Sequence, residues 1–199
     1  MNGPYPVKDL ANRLAQSNSS AAEQNRLGVM PFIHVCSLAR LEAAVEETGA
    51  RSVVTLLQEG TPMVRPATIA LDRHLFLAVS DIVAPMAGQI LPGDVHVGRL
   101  VRFVQDWDRD EPLLIHCFAG VSRSTAAAFI AACALNPSRS EDEIAWNIRG
   151  ASPTATPNAL LVALADKQLA RNGRMIEAIA AIGLGEACFE GVPFSLALE

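Results

Sequence analysis

From residue 31 onward, short β-branched apolar runs alternate with stripes at helical spacing, and the alternation predicts strands interleaved with helices. Pro31–Cys36 (PFIHVC), Arg51–Leu57 (RSVVTLL), His74–Ser80 (HLFLAVS) and Leu113–His116 (LLIH) read as strands. Leu38, Leu41, Ala44 and Val45 recur at helical spacing and end at Gly49, so a helix links the first two strands. That order predicts a parallel strand pair with a right-handed crossover. Asp94 reads as the N-cap of a helix with the stripe Val97, Leu100, Val101 and Val104. Ser124–Leu135 predicts a helix of small residues suited to close packing on the sheet. Ser140-Glu141-Asp142-Glu143 reads as a capping box opening a helix to Ile148. Further helices are predicted from Pro157-Asn158 through Ala170 and over Met175–Ile182, followed by an irregular tail. Glu59–Asp72 and Asp81–Gly93, each carrying prolines, read as loops.

The resulting fold class is α/β: a single domain with a mostly parallel central sheet flanked by helices. Residues 1–28 are polar and read as an N-terminal arm, with either a short helix at Val7–Leu14 or no fixed structure; residues 29–199 form the domain with its C-terminal helices and tail. The length of 199 residues and 50% apolar content suit one substantial core. A net charge of −5 gives no basic face for nucleic acid, and no segment is long and apolar enough to span a bilayer. Cys36, Cys117, Cys133 and Cys188 are scattered, without a CxxC pair or a His/Cys cluster, so neither a metal site nor a disulfide framework is expected. With no signal-peptide core at the start, a reducing, cytoplasmic setting follows, without a membrane partner.

One stretch carries chemistry. His116-Cys117-Phe118-Ala119-Gly120-Val121-Ser122-Arg123-Ser124 sets a cysteine at a strand end and an arginine six positions later, with a hydroxyl next. The strand should deliver Cys117 to its C-terminal edge, and the following helix should turn its positive N-terminus on the loop. Both effects favour an anion and a thiolate. Gly120 permits the turn that points N–H groups inward. Arg123 offers a planar fork matched to two phosphate oxygens, which lysine does not. Ser124 can donate to the sulfur when it departs. His116 is not a papain-like partner, because adjacent strand residues face opposite ways; it suits a hydrogen-bonded positioning role.

HCFAGVSRS resembles the HCxxGxxR[S/T] loop of cysteine-based protein tyrosine phosphatases, and its AGVSRS portion is most similar to the dual-specificity branch. Arg149 and Pro157-Asn158 resemble that branch's segment beside the loop, and the similarity runs loosely from Pro31 to Ala170. The resemblance implies a tyrosine-phosphatase-like fold, Cys117 as nucleophile, Arg123 as phosphate ligand and Ser124 as an aid to breakdown of the phosphocysteine. The amides of Phe118, Ala119, Gly120, Val121, Ser122 and Arg123 would cradle the oxygens. No cofactor or metal is implied, and Asn158 becomes a supporting residue behind the site.

The leaving oxygen needs a proton, so a carboxylic acid is sought. Asp106, Asp108 and Asp110 precede the strand that ends at Cys117, which puts them at its far end, more than about 12 Å away. Asp94 is assigned to capping, and Asp72 enters its strand from the wrong end. Asp81 leaves the strand His74–Ser80 at the edge where Cys117 should lie, and it also matches the position of the family's general acid. Arg65, Arg73, His34, His74, Cys36 and Cys133 read as structural or solvated.

The expected function is hydrolysis of phosphotyrosine, with phosphoserine or phosphothreonine as further substrates, on proteins. Only Tyr5 is a tyrosine and it is far from the motif, so no aromatic phosphotyrosine-gripping wall is identified. The uncharged loop interior (Phe118, Ala119, Val121) disfavours phosphoinositides, since lipid phosphatases of this superfamily often place lysines there. A phosphate-binding module without turnover and an arsenate-reductase-like thiol enzyme are the alternatives. Oligomeric state is not readable from the chain.

Overall fold

The computed structural model describes residues 31–198; the N-terminal arm read at 1–28, with its helix at Val7–Leu14, lies outside the described residues. The strands are β1 (Phe32–Ser37), β2 (Ser52–Leu57), β3 (His74–Ala78), β4 (Leu113–Cys117) and β5 (Phe194–Ala197). They form one sheet in the order β3-β2-β4-β1-β5, parallel except for β5, which runs antiparallel to β1. The helices are α1 (Leu41–Thr48), α2 (Asp94–Asp106), α3 (Arg123–Leu135), α4 (Glu141–Ala151), α5 (Ala159–Gln168) and α6 (Arg174–Ile182). None of them is long and apolar enough to cross a membrane.

Four local expectations change. β1 and β2 are parallel members of one sheet but are not partners, because β4 inserts between them. Gly93, not Asp94, is the N-cap of α2, and its N–H donates to His96 Nδ1 at 3.1 Å. Ser140 does stand at the N-cap of α4 but makes no capping hydrogen bond; Glu143 pairs with Arg139 instead, at 3.0 Å. The tail is not irregular throughout: β5 closes the edge of the sheet, covering donors and acceptors that β1 would otherwise expose.

The sheet divides the apolar residues by strand alternation. Val35, Val54, Leu56, Leu113, Ile115 and Cys117 face the layer of α2 to α6, while Cys36, Val53 and Leu114 face α1 and the loop around Ile69. α3 lies at the centre of the larger layer and is buried from Arg123 to Cys133. Its run of alanines lets it approach the sheet closely, and this sets Arg123 and Ser124 directly beside Cys117.

A buried ion cluster locks the lower helices together. Glu141 accepts from Arg171 Nη1 at 2.9 Å and from Arg174 Nε at 3.1 Å, and Arg171 also donates to the carbonyls of Cys133 and Pro137. Burial opposes ionisation of Glu141, but the Arg174 hydrogen bond and the two guanidinium charges outweigh it and hold its carboxyl below the ordinary range. Glu141→Ala leaves Arg171 buried without its counter-charge and is expected to destabilise the fold by about 3–5 kcal/mol in urea unfolding. Because the folded-state carboxyl is depressed, the stabilisation is full at neutral pH and is lost as pH falls through and below the usual carboxylate range. A gap between wild type and variant that did not shrink on acidification would contradict this account.

Candidate active site

β4 ends at Cys117, and α3 begins at Arg123. Between them the loop is organised by its carbonyls. Leu38 N–H donates to the Phe118 carbonyl at 3.1 Å, Gly191 N–H to that of Ala119 at 2.8 Å, Thr156 N–H to that of Val121 at 2.9 Å, and Asn158 N–H to that of Ser122 at 3.3 Å. Thr125 Oγ1 places its single O–H between the Val121 and Ser122 carbonyls, 2.6 and 3.0 Å away. A trans peptide points its N–H opposite to its carbonyl, so tying these four carbonyls outward turns the N–H groups of Ala119, Gly120, Ser122 and Arg123 inward. Gly120 N–H accordingly reaches Cys117 Sγ at 3.3 Å, and Ser124 Oγ lies 3.1 Å from the same sulfur.

Gly120 is required twice over. Its φ is +75°, and a Cβ there would stand 2.9 Å from backbone atoms of Cys36 and Ser37. The loop therefore rests directly on the end of β1, whose Ser37 is in register with Cys117.

Arg123 is buried, and its Nη1 donates to the Val79 carbonyl at 2.9 Å, just beyond β3. Its Nε lies 3.8 Å from Asp81 Oδ2 and makes no hydrogen bond to protein. Asp81 stands at the C-terminal edge of the sheet, as the strand geometry requires. Its Oδ1 accepts from Ser122 Oγ at 2.7 Å and from Asn158 Nδ2 at 2.9 Å. Asn158 also caps α5 by accepting from Leu161 N–H at 3.1 Å, so one side chain fixes both the Asp81 carboxylate and the helix behind it. The structure thus brings Cys117, Arg123, Ser124, Asp81, Ser122 and Asn158 together. Phe118 is exposed at the rim, Ala119 and Val121 contribute backbone, and His116 faces the other side of the sheet.

Cys133 lies in the core, and burial pushes its thiol up to about 12. Cys36 is also pushed up to about 12, by burial first and then by Cys117, with Arg40 opposing. Arg73 pairs with Asp108 at the far edge of the sheet, Arg65 donates to the Ile69 carbonyl, and His34 meets Ser195 Oγ at 2.6 Å.

Sequence reasoning missed the tail. Arg149 Nη1 and Nη2 donate to the carbonyls of Leu184 and Gly183, and Nη2 also to that of Ala155, which starts the tail toward the loop. Glu190 Oε1 accepts from Ser37 Oγ at 2.6 Å and from Arg40 Nε at 3.0 Å, and Gly191 makes the bond to Ala119 noted above. A Cβ on Gly191 would come within 2.6 Å of the Gly120 carbonyl oxygen, so this strap sits directly on the back of the loop. No motif marks it. A cleft of about 600 Å³ opens beside Asp81, walled by Ile82, Pro85, Met86, Pro157 and Leu184.

No protein-family model matches the chain, and no curated protein matches it in sequence. Solved structures do match it in shape. DUSP15 superposes with a TM-score of 0.55 at 17% identity, over 80% of this chain and 96% of that one. A human tyrosine phosphatase-like serine/threonine/tyrosine-interacting protein gives 0.55 at 16% identity, over 70% and 92%. PTPMT1, solved in complex with PI(5)P, gives 0.53 at 16%, over 75% and 92%. The chain has the fold of the dual-specificity phosphatases.

Proposed function

We propose that this chain is a phosphomonoester hydrolase acting on phosphotyrosine, and on phosphoserine or phosphothreonine, in proteins through a cysteinyl-phosphate intermediate. The carrying observation is the row of loop carbonyls tied outward, which converges N–H donors on the space above Cys117 Sγ with Arg123 beside it. In the first step the Cys117 thiolate attacks phosphorus, the bond from phosphorus to the leaving oxygen breaks, and Asp81 supplies the proton that oxygen needs. In the second step water attacks the phosphocysteine, Asp81 takes the water's proton, and the sulfur departs as a thiolate accepting a hydrogen bond from Ser124. The amides and Arg123 hold the equatorial oxygens as charge shifts among them.

The uncharged loop interior and the apolar cleft beside Asp81 support a peptide over a phosphoinositide headgroup. The match to a phosphatase-like interacting protein favours a second reading, a phosphate-binding module, because the fold is common to both. Turnover of para-nitrophenyl phosphate and of a phosphotyrosyl peptide by the wild-type chain decides between them; binding without phosphate release supports the module. Asp81→Ala is expected to lower kcat by about 10²–10⁴-fold with substrate binding retained. An unchanged rate and an unchanged alkaline limb of the pH profile would remove Asp81 from its role as proton donor. The same variant, used as a trap on phosphopeptide and phosphoinositide panels, identifies the preferred substrate class.

A further inference from the structure

The carbonyls of Phe118 and Ala119 are tied by two separate segments, and one carboxylate joins those segments. On one side, β1 ends at Ser37, in register with Cys117, and Leu38 N–H donates to the Phe118 carbonyl at 3.1 Å. On the other, Gly191 N–H donates to the Ala119 carbonyl at 2.8 Å. Glu190 Oε1 accepts from Ser37 Oγ at 2.6 Å and from Arg40 Nε at 3.0 Å, which links the end of β1 to the strap. The Ser37 hydrogen bond first, and then the Arg40 guanidinium, hold the Glu190 carboxyl below the ordinary range against the effect of burial. Glu190 is therefore a charged acceptor at neutral pH.

The strap is anchored on both flanks of this carboxylate. Upstream, Gly185 N–H donates to Thr156 Oγ1 and Glu186 N–H to the Pro153 carbonyl, both at 3.0 Å. Downstream, Val192 N–H donates to Thr154 Oγ1 at 3.1 Å, and the Val192 carbonyl accepts from Ser152 Oγ at 3.0 Å. Ala187, Cys188 and Phe189 between the anchors are exposed, so the Glu190 side chain pins the strap just before Gly191 turns onto the loop. Gly191 is in backbone contact there, since a Cβ would stand 2.6 Å from the Gly120 carbonyl oxygen and 3.1 Å from Val121 Cγ2. With the Ala119 carbonyl held by Gly191, the trans peptide turns Gly120 N–H the opposite way, to Cys117 Sγ at 3.3 Å. Measured contacts thus run without a break from Glu190 to the sulfur.

We propose that Glu190 and Gly191 are positioning residues for the anion site, holding the Ala119–Gly120 peptide so that its N–H faces the sulfur and the oxyanion bound above it. The inference rests on the proposed role of Cys117 as nucleophile. A negative charge beside an anion site disfavours the anion, so the charge of Glu190 and its geometric role act with opposite signs. Arg40 offsets the charge, and the hydrogen bond to Ser37 supplies the geometry.

Alkylation of Cys117 by iodoacetate, an anion, and by iodoacetamide, its neutral analogue, tests it, each rate read by peptide-resolved mass spectrometry at neutral pH. The ratio of the two rates cancels the thiolate fraction and the exposure of the sulfur, and reports how well the loop receives an anion. Glu190→Ala is expected to lower the ratio about threefold or more, and Gly191→Ala, whose Cβ must lift the strap off Gly120, about fivefold or more. Ser37→Ala removes the same hydrogen bond while leaving the Glu190 charge, and should lower the ratio as Glu190→Ala does. Glu190→Gln keeps an oxygen for Ser37 and sheds the charge, so its ratio should equal or exceed that of wild type. A Glu190→Ala ratio at or above wild type, in a protein folded by circular dichroism, overturns the inference. Equal ratios for Ala and Gln at position 190 do the same, as does a loss of thermal stability with the ratio unchanged, the mark of a brace that serves only the fold. If Glu190→Ala does not fold, a wild-type ratio in Ser37→Ala overturns it instead. Alkylation needs no phosphoester, so absence of phosphatase turnover would refute the hydrolase proposal without altering this test.

Discussion

Cys117→Ser is expected to abolish release of para-nitrophenol from para-nitrophenyl phosphate, by about 10⁴-fold or more in kcat/KM, with little change in thermal stability. The thiol sits at the focus of the loop, in contact with Ser124 Oγ and Gly120 N–H, so a smaller hydroxyl fits without disturbing the carbonyl ties behind. What it lacks is nucleophilicity at neutral pH. Binding of inorganic phosphate or tungstate should therefore persist, measured by calorimetry. Residual turnover within tenfold of wild type would show that Cys117 does not form the intermediate.

Arg123→Lys is expected to cost about 10²–10³-fold in kcat/KM, despite retention of charge. The guanidinium spends Nη1 on the Val79 carbonyl, which fixes its plane, and leaves its remaining donors for other acceptors. An ammonium has neither a plane nor a fork. It can hold Val79 or meet an oxyanion, and cannot present two parallel donors while doing so. If Arg123→Lys kept the wild-type rate within about threefold, the bidentate role would have to be abandoned in favour of simple charge.

Much of the site was legible because its parts are local. Cys117 to Ser124 are consecutive, and a strand followed by a glycine-containing loop and a helix leaves little freedom in where their side chains go. Asp81 lies 36 positions earlier, yet it could be selected because parallel strands end at one edge of the sheet. Thr55 is a polar residue in the middle of the buried run of β2, and a hydroxyl there needs partners, which His116 and His74 supply at 2.7 and 2.8 Å. Its partners, His74 and His116, come from other strands, and no spacing within the chain connects the three.

The strap was not legible at all. Glu190 and Gly191 belong to a tail without periodicity or motif, and their importance comes from where β5 docks. Pairing of β5 with β1 draws the preceding residues across Ser37 and onto Ala119. The same holds for the strand order, since nothing local says that β4 enters between β1 and β2. By itself, the chain of residues determined the alternation of elements, the course of the Cys117–Ser124 loop and the end of the sheet where it lies, because backbone periodicity and short-range spacing are properties of neighbours in sequence. Tertiary structure alone decided which carbonyls are tied back, what braces the loop and what lies behind Cys117. Those are contacts between segments up to about 150 positions apart, and only the packed sheet brings them within hydrogen-bond reach.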